Sequence, residues 1–127
     1  MTDHRRRTGD LGERLARAHL ERAGYVILDQ NFRTRHGELD LVAADGSGIV
    51  FCEVKTRVSG SGGPASPFDS IGTGKRRRLR RMATEWLTHS GRARRPRGAG
   101  ELRFDAIGIR LAPTGDLLEL EHLENAF

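Results

Sequence analysis

The stretch that decides the fold runs from Gly37 to Arg57 and reads GELDLVAADGSGIVFCEVKTR. Two apolar runs flank a glycine-rich break, which is the pattern of a β-hairpin. A two-residue turn at Gly46-Ser47, with glycine first, suits the type II′ form and fixes the pairing of the strands. In that register two pairs of polar side chains face each other, namely Asp40 with Glu53 and Glu38 with Lys55.

Side chains alternate along each strand, so the hairpin has two different faces. One predicted face is wholly apolar and should be buried; it consists of Leu39, Leu41, Ala43, Val50, Cys52 and Val54. The other face is apolar near the turn and ends in a block of four polar side chains, which are Glu38, Asp40, Glu53 and Lys55.

This polar block contains a local conflict, because like charges placed directly opposite each other destabilise a sheet. Asp40 against Glu53 is such a pair. Conflicts of this kind are often functional, and a divalent cation between the two carboxylates would resolve this one. The alternative interpretation is a partly exposed end of the sheet at which Lys55 neutralises the acids. A one-residue slip of the register would dissolve the block.

A single domain is expected from the length of 127 residues. We assign it to residues 8–127 and treat residues 1–7 as a flexible basic tail. Cys52 is the only cysteine; it is expected in the core, and it excludes an intrachain disulfide. The chain has neither a signal-peptide pattern nor an apolar run of about 18 residues. We therefore expect a cytoplasmic protein without a membrane partner.

The net charge of +5 is distributed unevenly along the chain. Residues 75–103 include eleven Lys and Arg against two Glu, whereas residues 104–127 include one Arg against five acids. A basic band on an otherwise balanced domain favours a polyanion such as nucleic acid as the partner.

The remaining patterns predict the element order α-β-β-β-α-β-β. The first helix should begin at Asp10 and end at Ala23, before Gly24, and the second should run from Thr73 to Ser90. Strands are expected over Tyr25–Leu28, continuing irregularly through Asn31–Arg33, and over Leu102–Leu111 and Leu117–Leu123. Glycine-rich loops are expected over residues 58–67 and 91–100.

Several charged residues have two interpretations. Glu13 either completes a capping box with Asp10 or is a third acid that reaches the sheet. His36 is either a solvated turn residue or a phosphate contact. The basic face of the second helix is either solvated or contacts phosphates; with its neighbours, the candidate nucleic-acid contacts are Arg57, Lys75, Arg76, Arg77, Arg80 and Arg81. Arg103 and Asp105 share a strand face and are expected to pair.

The polar block suits the hydrolysis of a phosphodiester. Two or three carboxylates can hold one or two Mg²⁺ ions, which bind oxygen ligands and retain waters. Asp40 and Glu53 are placed as such ligands, with the carbonyl of Val54 as a further oxygen, and Glu38 supports them from outside the ligand set. Lys55 projects from the same face as Glu53, so it can position a water or stabilise the charge of the transition state.

Six segments of the chain resemble the bacterial YraN family, and the resemblance covers nearly the whole sequence. They are Gly9–Glu13, Asn31–Arg33, Gly37–Val42, Val50–Arg57, Arg103–Asp105 and His122–Phe127. The resemblance implies an α/β fold of the restriction-endonuclease-like type, with three layers and a mixed sheet flanked by helices. It also implies membership of the PD-(D/E)xK nuclease superfamily, close to archaeal Holliday-junction resolvases.

By this likeness the catalytic positions are occupied by Glu13, Asp40, Glu53 and Lys55, and the three acids are the ligands of Mg²⁺ or Mn²⁺. The sequence departs from the superfamily pattern at Leu39, where proline is expected. The start of the second helix, Gly72–Lys75, offers no Gln or Tyr as an auxiliary residue.

Three functions are compatible with these features. The first is a Mg²⁺-dependent endonuclease that cleaves DNA, with branched or damaged DNA as candidate substrates and a homodimer as a candidate assembly. The second is a nucleic-acid-binding module of the same fold without useful catalysis. The third is a basic protein bound to RNA, which needs the arginine-rich helix but not the acids.

Overall fold

The computed structural model describes residues 2–60, 73–91 and 100–127. Its elements follow the predicted order, which is therefore confirmed: α1 Thr2–Arg22, β1 Val26–Thr34, β2 Gly37–Asp45, β3 Gly48–Val58, α2 Thr73–Trp86 with a π-helical turn over Leu87–Gly91, β4 Glu101–Leu111 and β5 Leu117–Leu123. The predicted loop 58–67 begins later than expected, because Val58 still belongs to β3. Residues 61–67, and residues 92–99 of the second predicted loop, lie outside the described part.

The five strands form one mixed sheet in the order β1-β2-β3-β4-β5. Neighbouring strands are antiparallel except β3 and β4, which are parallel. Parallel neighbours require a crossover connection, and α2 lies within it. The expected mixed sheet flanked by helices is confirmed, and the central strand pair joins the hairpin to the C-terminal half of the chain.

Each helix covers one face of the sheet. Ala16 and Leu20 of α1 are fully buried against one set of strand residues, which includes Leu41, Ala43, Val50, Cys52, Ile107 and Ile109. The buried side of α2 contacts the opposite face, where Val42, Ala44, Ile49 and Phe51 lie. On α2 the sequence spacing of Leu79, Met82, Ala83 and Trp86 predicts one apolar helical stripe. All four are buried, so the core roles that this spacing predicts for Met82 and Trp86 are confirmed.

The predicted register of the hairpin is confirmed from the turn to Leu41–Cys52, where the ladder ends, so the predicted pairs Asp40–Glu53 and Glu38–Lys55 are not part of it. The predicted turn type is wrong. Leu41 pairs with Cys52 and Asp45 pairs with Gly48, as a two-residue turn at Gly46-Ser47 requires. A type II′ turn needs a positive φ at Gly46, and this residue does not have one. Instead, the Asp45 carboxylate accepts hydrogen bonds from the backbone N–H and the hydroxyl of Ser47, at 2.9 and 2.7 Å.

One residue lies on the other face from that predicted. Leu39 packs under α2 with Leu79 and Met82, whereas Leu41 packs under α1. The pairing of β2 with β3 ends at Leu41–Cys52, so the segment of β2 before Leu41 is held in the sheet only by its pairing with β1. The predicted apolar face is therefore correct except at Leu39, since Val54 also packs on the side of α1.

The start of α1 also differs from the prediction. The helix begins at Thr2 instead of Asp10, so residues 2–7 are helical. Asp10 therefore lies inside the helix and cannot be its cap, which removes the capping-box interpretation of Glu13. The C-terminus is as predicted: Gly24 has a φ of +95°, and Tyr25 N–H donates to the Leu20 carbonyl in a Schellman motif.

The C-terminal end of the chain is held by Asp105, which is fully buried. Its carboxylate accepts hydrogen bonds from the Arg103 guanidinium at 2.8 Å and from the Asn125 backbone N–H at 3.0 Å, and it lies 2.7 Å from His122 Nε2. The expected pairing of Arg103 with Asp105 is confirmed. Burial raises the pKa of Asp105, but these contacts outweigh burial and hold the pKa below its usual value. This network fixes β5 and the residues after it to β4.

Gly12 sets the distance between α1 and β3. It is buried, and a side chain at this position would overlap with the hydroxyl and both carbons of the Thr56 side chain. The absence of a Cβ thus permits the helix to approach the strand, which brings the next residue, Glu13, toward the open end of the hairpin.

We predict that Gly12→Ala lowers the free energy of unfolding by about 1–3 kcal/mol, because an added methyl group in a packed contact forces the helix outward. Gly9→Ala is the matched control, since nothing lies within 4 Å of a Cβ at that site. It should stabilise the helix by up to about 1 kcal/mol. Urea denaturation of both variants measures the difference, and equal effects would show that the close approach of α1 is unimportant.

Candidate active site

Three carboxylates meet at the open end of the hairpin, where β2 separates from β3. Glu13 comes from α1, and Glu38 and Asp40 come from β2; one oxygen of each lies within 4.8 Å of the others. Asp40 Oδ2 accepts a hydrogen bond of 2.8 Å from the Val54 backbone N–H of β3. We call Glu13, Glu38 and Asp40 the acidic trio. Glu38, which we expected outside the ligand set, thus belongs to the same group as Asp40 and Glu13.

The acidic trio is electrostatically strained. Burial raises the pKa of Asp40 to about 7, against the opposing effect of the Val54 hydrogen bond, and the charges of Glu53, Glu13 and Glu38 raise it further. Burial and then the charge of Glu38 raise the pKa of Glu13. Carboxylate oxygens are the ligands that a divalent cation such as Mg²⁺ or Mn²⁺ prefers. Such a cation would also relieve the repulsion between the ionised carboxylates.

Asn31 of β1 belongs to this site, although no sequence pattern predicted a role for it. With its amide nitrogen directed at the acids, the orientation that matches donors to acceptors, Nδ2 lies 2.6 Å from Glu38 Oε1 and 3.0 Å from Glu13 Oε1. The backbone of Asn31 has a φ of +54°. Nothing in its sequence context indicated such a conformation within a strand.

Glu53 has cationic partners. Its Oε1 lies 3.3 Å from Lys55 Nζ and 2.6 Å from Lys75 Nζ. Even so, the negative charge of Glu53 helps to raise the pKa of Asp40. The two acids are therefore close enough to repel each other, as the sequence predicts. As a metal ligand, however, Glu53 would have to release at least one lysine.

Lys75 is placed differently from the prediction. We expected it among the phosphate contacts of α2, but its side chain is only 18% exposed and points at Glu53. Burial lowers the pKa of Lys75. Burial also lowers that of Lys55, but the hydrogen bond with Lys75 and the charge of Glu53 outweigh it, so the pKa of Lys55 is raised. Lys55 therefore keeps its ammonium group at neutral pH.

The basic face of α2 is exposed as predicted, at Arg76, Arg77, Arg80 and Arg81. Arg80 also has a packing role, because its guanidinium lies over the Phe104 ring at 4.9 Å. Arg57 of β3 is half-buried. The arginines of the predicted loop 91–100, at positions 92, 94, 95 and 97, fall outside the described residues.

Two clefts adjoin the acidic trio, and Glu38 lines both. On the side of α1 and β1 a groove of about 470 Å³ is lined by Arg6, Gly9, Asp10, Glu13, Asn31, Arg33 and Glu38. On the side of α2 a cleft of about 170 Å³ includes His36, Glu53, Lys75 and Arg78. The acids thus lie in open clefts with basic side chains at both sides, and His36, 3.9 Å from Glu85, is part of a wall and not of the acidic trio.

A second group with metal-like spacing consists of Cys52, Asp105 and His122. Burial raises the pKa of the Cys52 thiol, whereas metal binding requires the thiolate. Both oxygens of Asp105 already accept hydrogen bonds from Arg103. This group is therefore a structural network, and its donor atoms do not suit a cation.

These features define an α/β protein with a site of carboxylates and lysines at the open end of its central hairpin. Residues 12–109 match the model of the uncharacterised protein family UPF0102. The chain belongs to this family, which is the YraN-like group, so the resemblance noted in the sequence is confirmed.

Relatives cover nearly the whole chain. The UPF0102 protein of Geobacter metallireducens is 42% identical over 127 residues, which is 100% of this chain and 97% of the relative. That of Frankia alni is 42% identical over 94% of this chain and 92% of its own. That of Renibacterium salmoninarum is 45% identical, with 91% of each chain covered.

In the part of the chain that the structure describes, no helix combines the length and apolar composition needed to cross a membrane.

The raised pKa of Asp40 predicts a stability effect with a definite sign. A carboxyl whose folded pKa exceeds its unfolded pKa destabilises the fold once it ionises, so the penalty is absent below about pH 4 and complete above about pH 7. Asp40→Asn keeps an oxygen for the Val54 N–H and should raise the free energy of unfolding by about 1–3 kcal/mol at pH 8, with little change at pH 4.

Asp45→Asn is the control for this measurement, because the hydrogen bonds from Ser47 lower the pKa of Asp45. Asp45→Asn should lower the free energy of unfolding above about pH 4, whereas Asp40→Asn should raise it. Denaturant titrations across this range compare the two variants. A loss of stability in Asp40→Asn at pH 8 would show that the ionised carboxylate has a structural role in the metal-free protein.

Proposed function

We propose that this protein is a Mg²⁺- or Mn²⁺-dependent endonuclease that cleaves DNA phosphodiester bonds. The observation that carries the proposal is the acidic trio, in which three acids from two elements meet beside a lysine pair in an open cleft. A purely structural role does not explain why the chain would bring Asp40 and Glu13, whose pKa values are raised, together with Glu38 beside an open groove.

Asp40, Glu13 and Glu38 would hold the cation. A divalent cation, when bound there, would polarise the phosphate and lower the pKa of a bound water. Glu53 is the further candidate ligand, provided that Lys75 releases it. The Val54 carbonyl remains a candidate oxygen, because its N–H already fixes Asp40 to the same peptide segment.

Lys55 would act on the reacting groups. Its side chain is 32% exposed, and the ion pair with Glu53, which lines the cleft on the side of α2, fixes its direction. An ammonium that stays charged at neutral pH stabilises the negative charge that develops on the phosphate and can orient the attacking water. Its contribution should therefore appear in the rate and not in affinity.

DNA is the proposed substrate class because basic side chains surround the cleft on both sides, and the likeness to Holliday-junction resolvases makes branched DNA the first form to test. Arg76 and Arg77 on the exposed face of α2 would contact phosphates of the DNA backbone away from the acidic trio. Such contacts supply salt-dependent affinity that is largely independent of sequence.

A catalytically inert DNA-binding module is the second candidate. The specific observation in its favour is that both Lys55 and Lys75 pair with Glu53, which leaves one expected metal ligand neutralised. In such a protein the acidic trio would remain, but Mg²⁺ and Mn²⁺ would produce no cleavage.

We predict that binding and cleavage separate in two variants. Lys55→Ala should lower the cleavage rate of branched DNA at least about 100-fold, as loss of one transition-state donor does, with nearly unchanged affinity. Arg76→Ala with Arg77→Ala should weaken binding and reduce the salt slope by about one unit for each lost phosphate contact. The assay uses branched and linear DNA and RNA with Mg²⁺ or Mn²⁺, and binding is measured in EDTA.

The double variant Arg17→Ala and Arg22→Ala is the matched control. Both residues are exposed on α1, so these substitutions remove the same amount of positive charge on the opposite face of the sheet. The control should bind DNA with the wild-type salt slope. If the wild type binds but cuts none of the substrates with either metal, the inert module is the better description. If neither arginine pair alters binding, the exposed face of α2 is only solvated.

A further inference from the structure

Asn31 has a backbone conformation that a strand does not ordinarily contain. Its φ of +54° lies in the left-handed region, which asparagine tolerates better than most residues but at a cost. It lies in β1 between Gln30, which pairs with Leu41, and Phe32, which pairs with Leu39. Asn31 is therefore placed across from Asp40 of the acidic trio.

The side chain of Asn31 joins two acids from different elements. Its amide nitrogen donates to Glu38 of β2 at 2.6 Å and to Glu13 of α1 at 3.0 Å. The amide has two N–H donors, so it can serve both carboxylates at once. The hydrogen bond from Asn31 also lowers the pKa of Glu13, although burial and Glu38 together leave that pKa raised.

Satisfying a buried group explains only part of this arrangement. Glu13 is half-buried, but Asn31 and Glu38 are both exposed, and all three line the groove of about 470 Å³. Water could hydrate the Glu38 carboxylate there, so the amide is not needed to compensate for its desolvation. What water cannot do is fix two like-charged groups side by side, and a strained backbone that directs one neutral donor at both of them does so.

We propose that Asn31 is a positioning residue, which holds the carboxylates of Glu13 and Glu38 at the separation that a divalent cation requires. This inference deepens the proposed function and rests on it for the identity of the ligand. Asn31 itself need not touch the metal or the DNA; its effect is transmitted through the two acids.

The test compares Asn31→Gly with Asn125→Gly, because Asn125 has nearly the same left-handed backbone, with a φ of +55°, but lies outside the acidic trio. Both changes remove a side chain from a left-handed residue, so they share the backbone effect. Titration with Mn²⁺ is the first measurement. Asn31→Gly should weaken Mn²⁺ binding by about tenfold or more, as loss of a group that orients metal ligands does, and Asn125→Gly should leave it unchanged.

Thermal unfolding without metal is the second measurement. Asn31→Gly should lower Tm by about 3–5 °C more than Asn125→Gly does. In a Glu38→Ala background this extra loss should fall to half or less, since one of the two repelling groups is gone. An asparagine that merely supports β1 would give the same loss in both backgrounds.

The outcomes separate the two proposals. If wild type binds Mn²⁺ and Asn31→Gly binds it equally well, Asn31 does not position the acids and the inference is wrong, while the metal site stands. If wild type binds no Mn²⁺, the proposed function fails, and the Tm comparison alone then decides whether Asn31 holds the two carboxylates together. Equal Tm losses in the two backgrounds would overturn the inference in that case as well.

Discussion

The hydrogen bond from the Val54 backbone N–H to the Asp40 carboxylate is the contact on which the site depends. Between Leu41–Cys52 and the turn, β2 and β3 form an ordinary antiparallel ladder. Beyond that pair a side chain takes the place of a backbone acceptor, and the two strands separate. The Val54 N–H keeps a partner, as a half-buried backbone donor must, and the gap between the strands becomes the place where the acids meet.

The fold brings further groups to this gap because each neighbouring element is fixed independently. Gly12 permits α1 to lie close against Thr56, which places Glu13 at the gap. The N-terminal turn of α2 brings Lys75 from the other face of the sheet to Glu53. Asp105 of β4 anchors β5 and the C-terminal residues. The motif segments Arg103–Asp105 and His122–Phe127 therefore have a structural role and take no part in the proposed chemistry.

The sequence predicted those features that follow from local pattern. The hairpin register came from one turn and two apolar runs, and the core stripe of α2 came from the spacing of Leu79, Met82 and Trp86. Features that depend on separate elements meeting in space were not accessible in this way. The left-handed Asn31, the face change at Leu39 and the pairing of Lys75 with Glu53 all arise from packing, and none leaves a periodic signal. The helix start was misplaced because Asp10 and Glu13 match a capping box that the longer helix overrides.

The proposed role of the acidic trio is to hold a divalent cation. A crystal structure of the protein with Mn²⁺, in which the metal is located by its anomalous scattering, tests that role. We expect a peak about 2.0–2.3 Å from an oxygen of Asp40 and from an oxygen of Glu13 or Glu38, since cations of this class bind carboxylates at such distances. A crystal at saturating Mn²⁺ with no peak at the acidic trio, and with the acids arranged as they are without metal, would contradict it.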